Sequence, residues 1–284
     1  MVENQSDTFE LGGDDEIHRL GYGAMRITGE GIIGEPDDVD NAKAVLRRAV
    51  DIGVDFIDTA DSYGPGVSER LLREALLDDP EYRDDVLVAT KGGLLRNRDG
   101  DWLPMGDPDY LRDAALSSLD RLGVETIDLY QFHRPDPETP FEDSVTALAE
   151  LQDEGLIRHV GLSNVDAEQL DAAREITDIV TVQNEYNLGN RESEAVLDAC
   201  EDAGIGFIPW FPLGAGDLGD KEAVLDEVAD AHDASRYQIG LAWLLEHSDV
   251  MLPIPGTSSI EHLEENVAAS SIELTDEEYE RLTA

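Results

Sequence analysis

From Asp37 onward the apolar residues switch repeatedly between two spacings. Val45, Leu46, Ala49 and Val50 recur at the step of one helix face, and Gly53 stops the run; Val54, Phe56 and Ile57 then form a short β-forming stretch that closes on Asp58. The same switch returns along the chain, with strands predicted to begin at Leu20, Val54, Val86, Ile127, Ile157, Ile179, Gly206 and Val250 and a helical pattern after each. Eight such units predict an α/β fold, a (β/α)8 TIM barrel, whose functional groups lie at the carboxyl ends of the strands. Ahead of it, Thr8–Leu11 and Ile17–Leu20 flank Gly12-Gly13-Asp14-Asp15 and predict an N-terminal β-hairpin. No linker or shift in composition divides the chain, so residues 1–284 are expected to form a single barrel domain.

The strand ends carry the chemistry. Reading the residue at each carboxyl end gives Asp58, Lys91, His133, Ser163 with Asn164, Gln183 and Trp210, and Tyr63 stands on the loop after Asp58. Each has an ordinary reading alone: a cap, a solvated cation, a hydrogen-bonded imidazole. In a barrel they converge, which favours one site over several coincidences. Tyr, Lys, Asp and His suit proton transfer to a carbonyl oxygen. A free phenol titrates near pH 10, so Lys91 is expected to lower that value, with Asp58 holding the cation in place. None of these groups supplies electrons, so reduction needs a hydride donor; Trp210 offers a stacking face, and Ser163, Asn164 and Gln183 offer hydrogen bonds to a carboxamide.

Composition narrows the partners. Against 20 Lys+Arg stand 65 Asp+Glu, a net charge of −45, which repels nucleic acid and anionic membranes. The acids are spread through every helical segment, and normal hydrophobic content argues against disorder, so a halophilic protein with an acidic surface in a salt-rich cytoplasm is expected. Cys200 is alone, which fits a reducing interior, and no leader or membrane-spanning run is read. A cytoplasmic protein is the expectation; the sequence does not read out an oligomeric state, and a monomer is compatible with it.

Several stretches together resemble the aldo-keto reductase family across nearly the whole chain: Phe56-Ile57-Asp58-Thr59-Ala60-Asp61-Ser62-Tyr63-Gly64, Ala89-Thr90-Lys91-Gly92-Gly93, Leu129-Tyr130-Gln131-Phe132-His133-Arg134-Pro135-Asp136, Val160-Gly161-Leu162-Ser163-Asn164, Val182-Gln183-Asn184-Glu185-Tyr186-Asn187 and Ile254-Pro255-Gly256-Thr257-Ser258-Ser259. The resemblance implies Asp58, Tyr63, Lys91 and His133 as a catalytic tetrad reducing an aldehyde or ketone, with Tyr63 the general acid. It implies a nicotinamide cofactor bound over the barrel mouth by Gly23, Met25, Asp58, Ser163, Asn164, Gln183, Trp210, Leu213, Thr257, Glu265 and Asn266. NADP(H) is the implied cofactor and NAD(H) the alternative, because Gly256 and His262 stand where the family has the Lys and Arg that grip a 2′-phosphate. Trp210 replaces a common Tyr.

Three other readings compete. Gly21-Tyr22-Gly23-Ala24-Met25-Arg26 begins like a dinucleotide fingerprint, but Arg26 takes the place of its third glycine. Metal-dependent hydrolysis is not expected, since the six His show no paired ligand spacing. Glycoside hydrolysis would pair Asp58 or Asp61 with Glu185 and leave Tyr63, Lys91 and Trp210 without a task. A different class of alternative is a non-catalytic nicotinamide-binding regulatory module of the same fold. The substrate pocket is expected to be walled by Tyr22, Met25, Trp102, Met105 and Phe211.

Overall fold

The computed structural model describes residues 2–97, 99–212 and 221–284. Strands β1 (Thr8–Leu11) and β2 (Asp15–His18) form the N-terminal hairpin, with Thr8 opposite His18 and Leu11 opposite Asp15. Next come β3 (Tyr22–Gly23), β4 (Phe56–Asp58) and β5 (Leu87–Gly92), a small antiparallel hairpin of β6 (Leu94–Arg96) and β7 (Trp102–Pro104), then β8 (Ile127–Phe132), β9 (Ile157–Ser163), β10 (Ile179–Glu185) and β11 (Gly206–Trp210). Seven of these pair in parallel in the order β11-β10-β9-β8-β5-β4-β3. Helices α1 (Val39–Asp51), α2 (Val67–Leu72), α3 (Pro108–Leu122), α4 (Phe141–Asp153), α5 (Ala167–Arg174), α6 (Glu194–Ala203), α7 (Glu222–His232), α8 (Arg236–His247), α9 (Ile260–Ala268) and α10 (Asp276–Thr283) accompany them. The fold is a (β/α)8 barrel with an N-terminal hairpin. Among the described residues no helix is long and apolar enough to cross a membrane.

The eighth strand position is closed by residues 250–255 without a regular ladder. On one side Leu252 donates to Phe207 O at 2.7 Å and Phe207 donates to Val250 O at 2.8 Å. On the other, Gly21 donates to Pro253 O at 2.9 Å and Gly23 to Pro255 O at 3.4 Å. Pro253 and Pro255 have no N–H to return, so this edge only accepts. The strand expected from Leu20 is likewise short, because after Tyr22–Gly23 the backbone tightens into a 3-10 turn over Ala24–Ile27.

Side chains alternate across each strand, and this places the site. Phe56, Ala89, Leu129 and Ile208 point into the barrel, where Leu11 and Ile17 of the hairpin join them in one apolar plug with Leu252 and Ile254. Two residues further along the same strands stand Asp58, Lys91, Gln131 and Trp210. The plug therefore fills the amino end of the barrel, and the polar layer lies directly above it. Outward residues such as Ile57, Val88, Tyr130 and Phe132 pack under the helices in a second, larger core. Cys200 of α6 belongs to that core, and burial pushes its thiol up to about 12.

Candidate active site

Lys91 is fully buried on β5, and its ammonium is completely coordinated. Nζ donates to Asp58 Oδ1 at 2.6 Å, to the Thr59 carbonyl at 2.8 Å and to the Tyr63 hydroxyl at 3.5 Å. The other carboxylate oxygen of Asp58 accepts from Gln131 Nε2 at 3.0 Å and Gln183 Nε2 at 2.8 Å. A buried ion pair is tolerable only when its remaining polar positions are satisfied, and here both partners are. Room for this layer comes from Gly161, where an added Cβ would lie 2.3 Å from Thr181 Oγ1 and 2.8 Å from Gln131 Cγ. Burial pushes the Lys91 pKa down, Asp58 and Tyr63 push it up, and the balance lies above the ordinary lysine value. Lys91 is a cation throughout the neutral range.

Tyr63 reaches back over this pair from the loop after β4, its ring centroid 5.2 Å from Lys91 Nζ and 6.0 Å from the His133 ring. Lys91 does lower the phenol's pKa, as expected, but a larger opposing influence outweighs it. Burial raises it, Lys91 opposes that only in part, and the net direction is up. The phenol is thus held protonated. His133 follows β8 and is pushed well below the usual histidine range, first by burial and then by the charges of Lys91 and Arg134, so its imidazole is neutral at pH 7. Ser62 Oγ lies 3.5 Å from its Nδ1.

Asn164 and Phe211 adopt left-handed backbone conformations, φ 59° and 51°, at the mouth. Asn accepts this geometry readily; a bulky aromatic does so rarely, and Phe211 is held by Asn187 Nδ2 donating to its carbonyl at 3.0 Å. The turn at Asn164 lets Nδ2 donate to the His133 carbonyl at 3.0 Å and to Ser163 Oγ at 2.9 Å. Trp210 Nε1 is buried without a hydrogen-bond partner among the described residues.

These groups surround one cavity of about 460 Å³. Of the expected residues, Gly23, Met25, Asp58, Tyr63, His133, Ser163, Asn164, Gln183 and Trp210 line it, while Lys91 lies beneath Asp58 and Tyr63. Thr257, Glu265 and Asn266 stand on the turn and α9 beyond Gly256 and do not line it; Leu213 falls outside the described residues. Met25, Trp102 and Phe211 wall the cavity as expected. Two wall residues do not: Met105 is not at the cavity, and Tyr22 is fully buried with its hydroxyl donating to the Thr257 carbonyl at 2.5 Å. Neither Asp61 nor Glu185 lines it, so the paired carboxylates of glycoside hydrolysis are not assembled. Gln131 and Arg134 were missed. Leu129 already pointed inward, and the two-residue period from it marks Gln131 as interior.

Elsewhere, potential metal ligands gather at the barrel floor in Asp14, Asp15 and His159, where Arg158 already lies within 3.1 Å of Asp14 and 3.0 Å of Asp15.

Known proteins are similar to this chain in sequence and in fold. The model of the Aldo/keto reductase family matches residues 19–284. An uncharacterized oxidoreductase of Schizosaccharomyces pombe is 49% identical over 279 residues, covering 98% of this chain and 90% of that one. The pyridoxine 4-dehydrogenase of Escherichia coli is 44% identical over 279 residues, covering 96% of each. Among solved structures, a thermostable aldo-keto reductase in complex with the inhibitor epalrestat superposes with a TM-score of 0.87 at 33% identity, covering 98% of both chains. An aldo/keto reductase from Klebsiella pneumoniae in complex with NADP and acetate gives 0.83 at 28% identity, covering 98% of this chain and 94% of that one. With its barrel, its buried Lys91–Asp58 pair beneath a tyrosine and matches of this extent, the chain belongs to the aldo/keto reductase family.

Proposed function

We propose that the protein reduces an aldehyde or ketone to an alcohol, with NADP(H) the preferred hydride donor, NAD(H) the alternative, and Tyr63 the general acid. The observation that carries this reading is the Tyr63 hydroxyl, 3.5 Å from Lys91 Nζ and opening with His133 onto one cavity. The residues present fit a nicotinamide: Trp210 brings an aromatic face and an indole N–H unpartnered among the described residues, and Ser163, Asn164 and Gln183 set amide and hydroxyl groups along the same wall. When bound, the reduced nicotinamide supplies the hydride.

Tyr63 gives its proton to the carbonyl oxygen as that oxygen becomes an alkoxide. Lys91, fixed by Asp58 and Thr59, stabilises the phenolate left behind. His133 stays neutral; in the tautomer whose Nδ1 accepts from the Ser62 hydroxyl, Nε2 carries the hydrogen and donates it to the substrate oxygen. A raised phenol pKa suits reduction better than oxidation, since the acid is always loaded and the phenolate base is scarce.

The Escherichia coli relative is named a pyridoxine 4-dehydrogenase, so pyridoxal belongs in the assay panel beside simple aldehydes and ketones. The test follows NADPH or NADH absorbance with each carbonyl compound. Turnover that falls about 10²–10⁴-fold in Tyr63→Phe, with cofactor affinity by Trp fluorescence nearly unchanged, supports the assignment. Cofactor-dependent quenching with no turnover across the panel refutes it and favours a binding module. We also read the net charge of −45 as an adaptation to a salt-rich cytoplasm.

A further inference from the structure

Most described arginines and lysines of this acid-rich chain lie within 4.0 Å of a carboxylate, as Arg121 does at Glu69 and Arg158 at Asp14 and Asp15. Among the described residues, the arginines around the cavity mouth do not. Arg26 and Arg134 line it, and Arg96 stacks 3.7 Å over Trp102, which also lines it. Arg96 turns both terminal nitrogens to the carbonyls of Gly31, Ile32 and Gly100, and its Nε, without a partner among the described residues, is buried away from an incoming anion. Arg26 lies at the far wall, its stem 3.7 Å from where a Cβ on Gly256 would stand.

Arg134 is different. It is exposed, follows His133 directly, and makes one side-chain bond, to Asn164 Oδ1 at 3.3 Å. The nearby carboxylate of Asp136 does not answer it. That group accepts instead from Gly106 N at 2.9 Å, Glu138 N at 2.9 Å and Thr139 Oγ1 at 3.0 Å. Among the described residues this guanidinium has no carboxylate within 4.0 Å, and beside the imidazole that faces Tyr63 it offers its donors to an anion.

Building on the reductase reading, we infer that the substrate is a carbonyl compound bearing a carboxylate or phosphate, which pairs with Arg134 while its carbonyl lies against Tyr63 and His133. The fork of a guanidinium fits either anion, and two matched pairs of probes separate them: succinic semialdehyde against butanal, and glyceraldehyde 3-phosphate against glyceraldehyde. With NADPH and at one fixed salt concentration, the wild type is expected to favour the anionic member of at least one pair by about 10- to 100-fold in kcat/KM, mainly through KM. Arg134→Gln should shrink that preference below about 3-fold, and Arg134→Lys should keep part of it, retaining charge without the fork.

No preference in the wild type, or a preference that survives in Arg134→Gln, overturns the inference while leaving the reductase reading intact. Should none of the four probes be reduced, that reading fails and binding decides: succinic semialdehyde and glyceraldehyde 3-phosphate are titrated into the NADP+ complex by Trp fluorescence. A Kd for either probe about 10-fold weaker in Arg134→Gln supports the anion site; equal affinities for both overturn it.

Discussion

At the barrel floor Arg158 lies 3.1 Å from Asp14 and 3.0 Å from Asp15, and His159 Nε2 lies 3.0 Å from Asp15. At the mouth Lys91 lies 2.6 Å from Asp58, and His133 stands within a ring's width of Tyr63. Both ends thus hold a histidine, a cation and carboxylates. At the floor the hairpin seals the group: a Cβ on Gly12 would come 2.3 Å from His159 Cε1, so the turn lies on the imidazole itself, and none of these residues reaches the cavity. At the mouth Lys91 is sealed beneath Asp58, while the phenol and imidazole above the pair face the cavity. The same side-chain types therefore form a clamp at one end and a reactive wall at the other. What separates them is which groups are left without a protein partner.

The widest gap between the two ends should appear on deleting a cation. Lys91→Met leaves Asp58 charged and buried with only amide donors, and should cost about 3–5 kcal/mol of stability in denaturant unfolding, besides lowering reduction about 10²-fold or more. His159→Gln at the floor should cost only about 1 kcal/mol and leave kcat/KM within about 2-fold. If the floor variant also lost activity, the division of labour would be wrong. Salt should act on the whole surface: raising KCl from about 0.1 M to about 2 M should raise the thermal midpoint, and a midpoint indifferent to salt would refute the halophilic reading.

The smallest expected effect is in the pH profile. Tyr63 is pushed up and His133 well down, so neither changes charge between about pH 6 and 9, and kcat/KM for reduction should be flat there, falling only as Tyr63 ionises above about 10. Asp61 does titrate in that window, pushed up to about 8 by burial and by Glu69, but it lies off the cavity wall. Any step it causes should stay below about 2-fold; a full break near pH 6.5 would return His133 to the list of titrating groups.

The barrel was legible because its strands and helices differ in hydrophobic period, and the layer of Asp58, Lys91, Gln183 and Trp210 because period two carries each strand's inward face to its end. Three things were not. The balance of burial against charge at Tyr63 depends on the depth of the whole loop, which no local pattern encodes. Tyr22 looked like a rim aromatic but sits in a two-residue strand facing away from the cavity, a rotation set by the turn at Ala24. Arg134 read as one letter of a motif; its isolation shows only once Asp136 is seen to spend its oxygens on backbone amides.

The two prolines at the closing strand have a mechanical meaning. Along β3 the barrel is held by carbonyls that receive and never give, so this seam is a fastener with half its teeth. Backbone amides flanking it should exchange with solvent through smaller openings than those of β8 or β9, and the Gly256–Thr257 turn that rides on it should yield to a long guest more readily than the rim over β8 and β9.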